Sequence, residues 1–411
     1  MAPSFLGARR GLIPKKDLII VTASYVFDWI VLVALGVTGY IMAEVTPNKR
    51  PFWLADPNIS FTFTENEYVP NVLAGILYST ISVGLILIIC LVFVPGSTVP
   101  KGTPRPMIWR RKLWELHVGL LGLGLSVAAT WFITNGMKNM FGKPRPDLLA
   151  RCQPDVENMD RYIIGGNYIR EGRAFALVSA DICTNTDAHM LDDGFRSFPS
   201  AHSSLSSATF VYLSLFVASK FAVVIPFVPP ASNPLEQQAS SSAFPSRLPR
   251  SRESTYISDY GSHDHSKSGS GPFHGHTQQA AMAARRQAAA PPIYLLIFAL
   301  CPFFLSIFIS SSRWFDFRHH GFDILFGYFI GLIVSIFSFR FYHLPISSGA
   351  GWAWAPRSAD RAFWAGVGNS SYATYNTLYS RAPDEEEAIE MVEPRSRNEG
   401  LRSRQGTHGS I

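Results

Sequence analysis

The sequence predicts an all-α integral membrane protein: a six-transmembrane-helix bundle with a long extracytosolic loop, a disordered cytosolic insertion and a disordered C-terminal tail. Of its 411 residues, 47% are hydrophobic and only 16% are charged, whereas soluble domains are roughly a quarter charged. The apolar residues form six runs, each close to the ~20 residues that a helix needs to cross ~30 Å of hydrocarbon. These runs cover residues 18–43, 72–95, 115–136, 203–228, 293–311 and 322–343.

Basic residues in the short loops predict the orientation of the spans, because cytosolic loops carry the excess of Lys and Arg. The N-terminal segment and the loop between the second and third spans are rich in these residues, so both are predicted to be cytosolic. The loop between the first two spans has a mixed charge balance and is predicted to be extracytosolic. It contains the candidate glycosylation sequon Asn58-Ile59-Ser60. The net charge of +6 reflects the positive-inside residues, so no nucleic-acid partner is predicted.

Three segments lie outside the predicted helix bundle. Residues 1–17 form a cytosolic N-terminus, and residues 344–411 form a cytosolic tail. The six-helix domain, residues 18–343, is interrupted at 229–291 by an insertion rich in Ser, Pro and Gly. This insertion has too few apolar residues to form a core and is predicted to be disordered.

The cysteines divide into two pairs. Cys152 and Cys183 lie in the same predicted extracytosolic loop, where disulfides persist. We predict a Cys152–Cys183 bridge, with two free thiols as the alternative. Cys90 and Cys301 lie in apolar spans and are predicted to be packing residues.

Polar residues cluster at three span junctions that are all predicted to face the extracytosolic side. Three cations among them suit a phosphate dianion, because Arg offers a planar fork and Lys a point charge. The free N–H groups at the start of the fourth span add a further anion site. The cluster comprises Lys138, Arg145, Ser200, Ala201, His202, Arg313, His319 and Asp323.

Two histidines of this cluster could carry out covalent catalysis. His319 and Asp323 are four residues apart, hence neighbours on a helical face. A carboxylate on one imidazole nitrogen leaves the other as a nucleophile, and His202 could protonate a leaving alcohol and then activate water. Each residue alone also has a structural explanation, such as Ser200 as an N-cap. Their coincidence on one side favours a phosphoryl-transfer site.

Three motifs in this cluster resemble the signature of a known family. Lys138 to Pro146 fits K-x6-R-P, residues 199–202 (PSAH) resemble P-S-G-H, and residues 312–323 fit S-R-x5-H-x3-D. Together they resemble the type 2 phosphatidic acid phosphatase superfamily, the lipid phosphate phosphatases, and most of all the fungal diacylglycerol pyrophosphate phosphatases. Ala201 stands where the family usually has Gly.

The resemblance implies a role for each site residue. His319 is expected to form a phosphohistidine, with Asp323 orienting it and His202 acting as general acid and then base. His320 could also reach Asp323, but the motif spacing favours His319. No metal or other cofactor is expected. The phosphoryl oxygens are expected to contact Lys138, Arg145, Ser200, Ala201 and Arg313.

The expected substrate is a phospholipid in the bilayer: phosphatidate, lysophosphatidate or diacylglycerol pyrophosphate. The alternatives are a sphingoid-base phosphate or polyprenyl pyrophosphate phosphatase, a lipid-alcohol transferase, or a non-catalytic six-span transporter or scaffold. The resemblance suggests the vacuolar, a Golgi-like or the plasma membrane. The sequence leaves the oligomeric state and the role of the 229–291 insertion open.

Overall fold

A computed structural model describes residues 15–96, 99–100, 102–166, 175–225, 290–346 and 351–368. Most of the predicted insertion and the ends of both termini lie outside these ranges. Within them the chain forms eight α-helices: α1 (Lys15–Glu44), α2 (Asn71–Phe93), α3 (Arg105–Phe141), α4 (Leu148–Cys152), α5 (Ala188–Gly194), α6 (Ala201–Lys220), α7 (Ile293–Phe315) and α8 (Gly321–Tyr342). All except α4 and α5 are long and apolar enough to cross a membrane. The predicted six-span, all-α architecture is therefore confirmed.

Two helix ends differ from the sequence prediction, and the first of them affects the site. α3 continues past residue 136 to Phe141, which places Lys138 in its last turn. It ends at Gly142 with φ 57°, where a Cβ would collide with the Asn48 carbonyl oxygen. α6 ends at Lys220 instead of 228, because Ala222 adopts the left-handed conformation that few non-glycine residues tolerate.

Helix α6 is the centre of the bundle and packs against α3, α7 and α8. α8 approaches it closely through Gly327 and Gly331, where an added Cβ would meet the backbone of Ser200 and of Ser204. Such small residues allow helix backbones to pack tightly in membranes. As a result the N-termini of α6 and α8 meet, and the Ser200 N–H donates to the Asp323 carbonyl at 3.1 Å.

The loops between α1 and α2 and between α3 and α6 form a small cap on this end of the bundle. Its described strands, β1 (Phe52–Trp53), β2 (Ile163–Gly166) and β3 (Ala176–Val178), make an antiparallel sheet with β3 in the middle. Cys152 and Cys183 are joined by a disulfide. The cap has its own apolar core, which includes Phe52, Leu148, Val178, Ile182 and Phe195.

A buried ion-pair cluster lies at the opposite end of the bundle. Glu115 Oε2 is 2.6 Å from Lys220 Nζ, and its other oxygen is 3.1 Å from Arg111 Nη2. The predicted cytosolic tail begins here, since the Ala353 N–H donates to Glu115 at 3.1 Å. The Trp352 ring lies against the cations of both Arg111 and Lys220.

Candidate active site

The predicted site residues meet under the cap, where α3, α6, α7 and α8 have adjacent ends. Lys138 ends α3, Ser200 caps α6 and Arg313 lies in the last turn of α7. Each of these three side chains is at least nine-tenths buried. The side chains therefore lie in a pocket of low dielectric, where charge interactions are strong.

His319 is oriented by a main-chain group. Its Nδ1 lies 2.6 Å from the carbonyl oxygen of Ser197. A carbonyl can only accept, so Nδ1 carries the proton and Nε2 keeps its lone pair. Burial, followed by the positive charges of Arg145 and Lys138, holds the pKa of His319 well below its usual value. The ring is thus a neutral imidazole with a free nucleophilic nitrogen.

Asp323 does not orient His319 directly, so that expectation is wrong. Its Oδ2 accepts from Ser197 Oγ at 2.6 Å and lies 3.1 Å from His320 Nδ1, while its Oδ1 is 2.7 Å from Lys143 Nζ. The four-residue spacing fails because α8 begins only at Gly321. His319 lies in the preceding turn, and His320 is the N-cap that forms a capping box with Asp323.

His202 occupies the first turn of α6. Its Nε2 is buried, and no described residue is its hydrogen-bond partner. Ser200 Oγ accepts from the Ser203 N–H as an N-cap. Ala201 is the first helical residue, so its N–H belongs to the group that lacks intrahelical acceptors. At this helix start, backbone N–H groups can bind an oxyanion, and the His202 imidazole can donate a proton to a leaving group.

The predicted phosphate-binding cations already have protein partners. Lys138 Nζ donates to the Arg196 carbonyl at 2.9 Å. Arg145 donates to the Asp193 carbonyl from Nε and to the Asp193 carboxylate from Nη2, both at 2.7 Å. Because two N–H groups of the guanidinium donate to Asp193, Arg145 is held in one orientation.

Arg313 is held by several acceptors. Its Nη1 donates to Glu67 Oε2 at 2.8 Å, and its Nη2 donates to Asp316 Oδ2 at 2.7 Å and to the Val69 carbonyl at 2.9 Å. Its Nε donates to Ser312 Oγ at 3.2 Å. A guanidinium has five N–H groups, so these bonds leave one N–H of Nη1 for a further acceptor.

Three carboxylates, of which Asp147 is fully buried and Glu67 and Asp193 are partly buried, link the arginines of the site into a series of alternating charges. Glu67 bridges Arg313 and Arg318, its second contact being 2.7 Å. Asp147 lies between Arg318 and Arg151, at 3.3 and 3.0 Å. The series continues from Arg151 through Asp193 to Arg145.

The two aspartates of this series of ion pairs, Asp147 and Asp193, have pKa values shifted in opposite directions. Burial alone would raise the pKa of Asp193, but Arg145 and Arg151 outweigh it and lower the pKa to about 2. Burial raises the pKa of Asp147, although Arg151 and Arg145 oppose that shift. Asp193 is therefore the firmly ionised member of the pair.

Sequence reasoning missed several residues that build this site. The Ser197 contact uses a main-chain oxygen, which has no sequence signal. Glu67 lies in the loop between α1 and α2, Asp147 follows the first motif as the N-cap of α4, and Asp193 lies in α5; none of them is part of a motif. The contact of His320 with Asp323 was the less favoured alternative, and the ion pair of Lys143 with Asp323 was not predicted. In the described part of the chain, no group of three or more His, Cys, Asp or Glu side chains is arranged to hold a metal ion.

An aromatic surface adjoins the polar pocket. The Phe198 ring contacts Phe141 at 4.8 Å and Phe326 at 5.2 Å between centroids. Phe322, the residue before Asp323, is exposed and contacts Phe326. Apolar side chains thus lie directly beside groups that suit a phosphate.

These features define the class of the protein: an integral membrane protein with a buried, cation-rich site where its helices meet the cap. A protein-family model described as the PAP2 superfamily matches residues 119–236. Lipid phosphate phosphatase 1 of Saccharomyces cerevisiae is 30% identical over 203 residues, which are 46% of this chain and 68% of that protein. The chain belongs to the PAP2 superfamily.

Two further relatives carry a more specific name. Diacylglycerol pyrophosphate phosphatase 1 of Saccharomyces cerevisiae is 30% identical over 202 residues, 49% of this chain and 61% of that protein. Probable diacylglycerol pyrophosphate phosphatase 1 of Schizosaccharomyces pombe is 31% identical over 213 residues, 49% and 66% respectively. The alignments thus span less than two thirds of either relative. No solved structure matches the chain.

Proposed function

We propose that this protein is a lipid phosphate phosphatase that hydrolyses phosphatidate, lysophosphatidate and/or diacylglycerol pyrophosphate through a phosphohistidine at His319. The observation that carries the proposal is the 2.6 Å contact between His319 Nδ1 and the Ser197 carbonyl. It leaves Nε2 unprotonated in a pocket that also contains Lys138, Arg145 and Arg313. The names of the relatives support a lipid phosphate as substrate.

In the first step, His319 Nε2 attacks phosphorus. The P–N bond forms as the P–O bond to the leaving group breaks, and His202 donates its proton to the departing oxygen. The leaving group is diacylglycerol or monoacylglycerol from a monoester, and phosphatidate from diacylglycerol pyrophosphate. Fixed cations stabilise the charge on the three other phosphoryl oxygens.

In the second step, neutral His202 takes a proton from water, and the resulting hydroxide attacks the phosphohistidine. The P–N bond breaks, inorganic phosphate leaves and His319 regains its lone pair. His202 is protonated again and ready for the next substrate. His202 Nε2, which has no hydrogen-bond partner among the described residues, serves both steps.

We propose that no metal is required. In many phosphoryl-transfer enzymes a divalent cation neutralises the phosphoryl oxygens. Here Lys138, Arg145 and Arg313 would take that role, supported by the backbone N–H groups at the start of α6.

We also propose that the site opens on the extracytosolic side at headgroup level. The loop charges support this orientation, and so does the disulfide in the cap. The aromatic surface beside Asp323 could hold the apolar part of a lipid while its phosphate enters the pocket. Sensitivity of an Asn58 glycan to glycosidase, lost in Asn58→Gln, would support this orientation. Labelling of the cap from the cytosol would contradict it.

The activity is tested with detergent-solubilised protein on phosphatidate and diacylglycerol pyrophosphate in the presence of EDTA. We expect phosphate release by the wild type and by His189→Ala, because His189 is an exposed histidine of the cap. His319→Ala should abolish it. Absence of release from both lipids would refute the substrate class, while activity lost to EDTA and restored by Mg²⁺ would refute metal independence.

A further inference from the structure

His320 is a histidine of the site that the proposed reaction does not use. It is the N-cap of α8, and its side chain is 22% exposed. Its Nδ1 lies 3.1 Å from Asp323 Oδ2, and its Nε2 lies 3.2 Å from the carbonyl oxygen of Asn58. The ring therefore joins α8 to the cap loop between α1 and α2.

Both acceptors fix the protonation state of this ring. A carboxylate and a carbonyl each only accept hydrogen bonds, so both ring nitrogens must carry protons for both contacts to form. Only the imidazolium has two N–H groups. A neutral His320 that keeps its bond to Asp323 would point a lone pair at the Asn58 oxygen and lose that contact.

Charged groups lie on both sides of the His320 ring. Asp323 is its counter-ion, and Lys143 shares that carboxylate through the other oxygen at 2.7 Å. Ser197 Oγ, from the segment before α6, is 3.4 Å from His320 Nδ1. On the cap side, the Asp56 carboxylate accepts from the Asn58 N–H at 2.8 Å. One lysine, Lys143, and two carboxylates, Asp323 and Asp56, thus lie around the junction.

Hydrogen bonds connect this junction to the nucleophile. Asp323 Oδ2 accepts from Ser197 Oγ at 2.6 Å, and the Ser197 carbonyl accepts from His319 Nδ1 at 2.6 Å. The order of contacts is Asn58, His320, Asp323, Ser197 and His319. A contact that holds Asp323 and the Asn58 loop in place therefore also holds the His319 ring in place.

We propose that His320 is a positioning residue that acts as an imidazolium, fastening the Asn58 loop to Asp323 and so holding Ser197 and His319 in their reactive geometry. The predicted effect on kcat rests on the proposed function, whereas the predicted attachment of the Asn58 loop does not. Loss of a proton from either ring nitrogen removes one of the two contacts, so the fastening depends on the protonation of His320. His320 is then a proton-dependent element built from two adjacent histidines with different roles.

The kinetic test compares wild type with His320→Gln from acidic to alkaline pH, with His189→Gln as the matched control. At acidic pH we expect kcat of the variant to be lower by about tenfold, the scale of one charge-assisted hydrogen bond, with little change in KM. The ratio of wild-type kcat to variant kcat should fall towards one once the wild-type His320 ring has lost its proton. A pH-independent ratio would overturn the proposal, and so would loss of all activity, which would make His320 catalytic.

A second measurement does not depend on turnover. Hydrogen exchange of the peptide around Asn58, corrected for intrinsic rates, should rise with pH in the wild type but stay high at every pH in His320→Gln. Equal exchange in both proteins would overturn the proposed fastening. If exchange behaves as expected while no phosphate ester is hydrolysed, the proposed function fails and the fastening stands.

Discussion

Glu67 and Arg313 are 246 residues apart in sequence, yet their side chains form a 2.8 Å ion pair at the centre of the site. The other Glu67 oxygen pairs with Arg318 at 2.7 Å. The neighbouring Tyr68 N–H donates to Asp316 at 3.2 Å. The loop between α1 and α2 is thus part of the proposed phosphate site, although no family motif lies in it.

Glu67→Gln should weaken the attachment of this loop. The amide cannot satisfy two guanidinium groups, although Arg313 keeps Asp316 and Arg318 keeps Asp147. We therefore expect a loss of about 2 kcal/mol in unfolding free energy, read as a lower melting temperature in detergent. Glu65→Gln, at an exposed position of the same loop, is the control. Equal melting temperatures for the two variants would show that the bridge contributes nothing.

Ser197→Ala should lower kcat without loss of fold. The substitution keeps the carbonyl that orients His319 but removes the hydroxyl that donates to Asp323 at 2.6 Å. We expect a decrease of about tenfold in kcat from one hydrogen bond to a charged group, with KM nearly unchanged. Steady-state kinetics on phosphatidate checks this. A variant as active as wild type would mean that Asp323 does not act through Ser197.

The proposed nucleophile, His319, should remain active in acid. Burial and the charges of Arg145 and Lys138 hold the pKa of His319 well below its usual value. A group with a lowered pKa stays neutral down to that lower pH, so protonation of His319 should not reduce kcat/KM near pH 6.5. Substituting Arg145 by Gln would remove one cause of the shift and move the acid limb to higher pH. An acid limb already centred near 6.5 in wild type would contradict this picture.

The ion pair at the other end of the bundle should matter for stability and not for turnover. Among the described residues, Lys220→Met leaves the buried Glu115 with Arg111 and the Ala353 N–H as its remaining partners. Removing one partner of a buried pair costs roughly 3–5 kcal/mol. Thermal unfolding should show that the Lys220→Met, Glu115→Gln double variant loses less stability than the sum of the losses in the two single variants. Additive losses would show that the two residues are not coupled.

The sequence predicts the parts of this structure that depend on local signals. Six spans follow from local hydropathy, and the cations of the site lie in short motifs at span ends. Contacts that depend on tertiary folding do not follow. Glu67 reaches Arg313 only because the cap folds over the bundle, and the orienting group of His319 is a main-chain carbonyl.

The pairing of Asp323 with His319 was mispredicted for a local reason. The helical spacing rule needs both residues in one helix, but Phe317 has φ 54° and α8 begins at Gly321. The turn rotates His319 towards Ser197 and leaves His320 beside the carboxylate. Which of two adjacent histidines faces an aspartate depends on the helix start, and helix starts are the least certain part of a sequence prediction.

The most direct test of the account is to trap the phosphoenzyme. Wild-type protein is mixed with phosphatidate carrying a labelled phosphate, quenched in alkali and digested, and the labelled peptide is sequenced by mass spectrometry. We predict an acid-labile, alkali-stable phosphate on His319, absent from His319→Ala and present in His320→Gln. Label on His320, or phosphate release without any labelled histidine in a rapid quench, would contradict the assignment of His319 as the nucleophile.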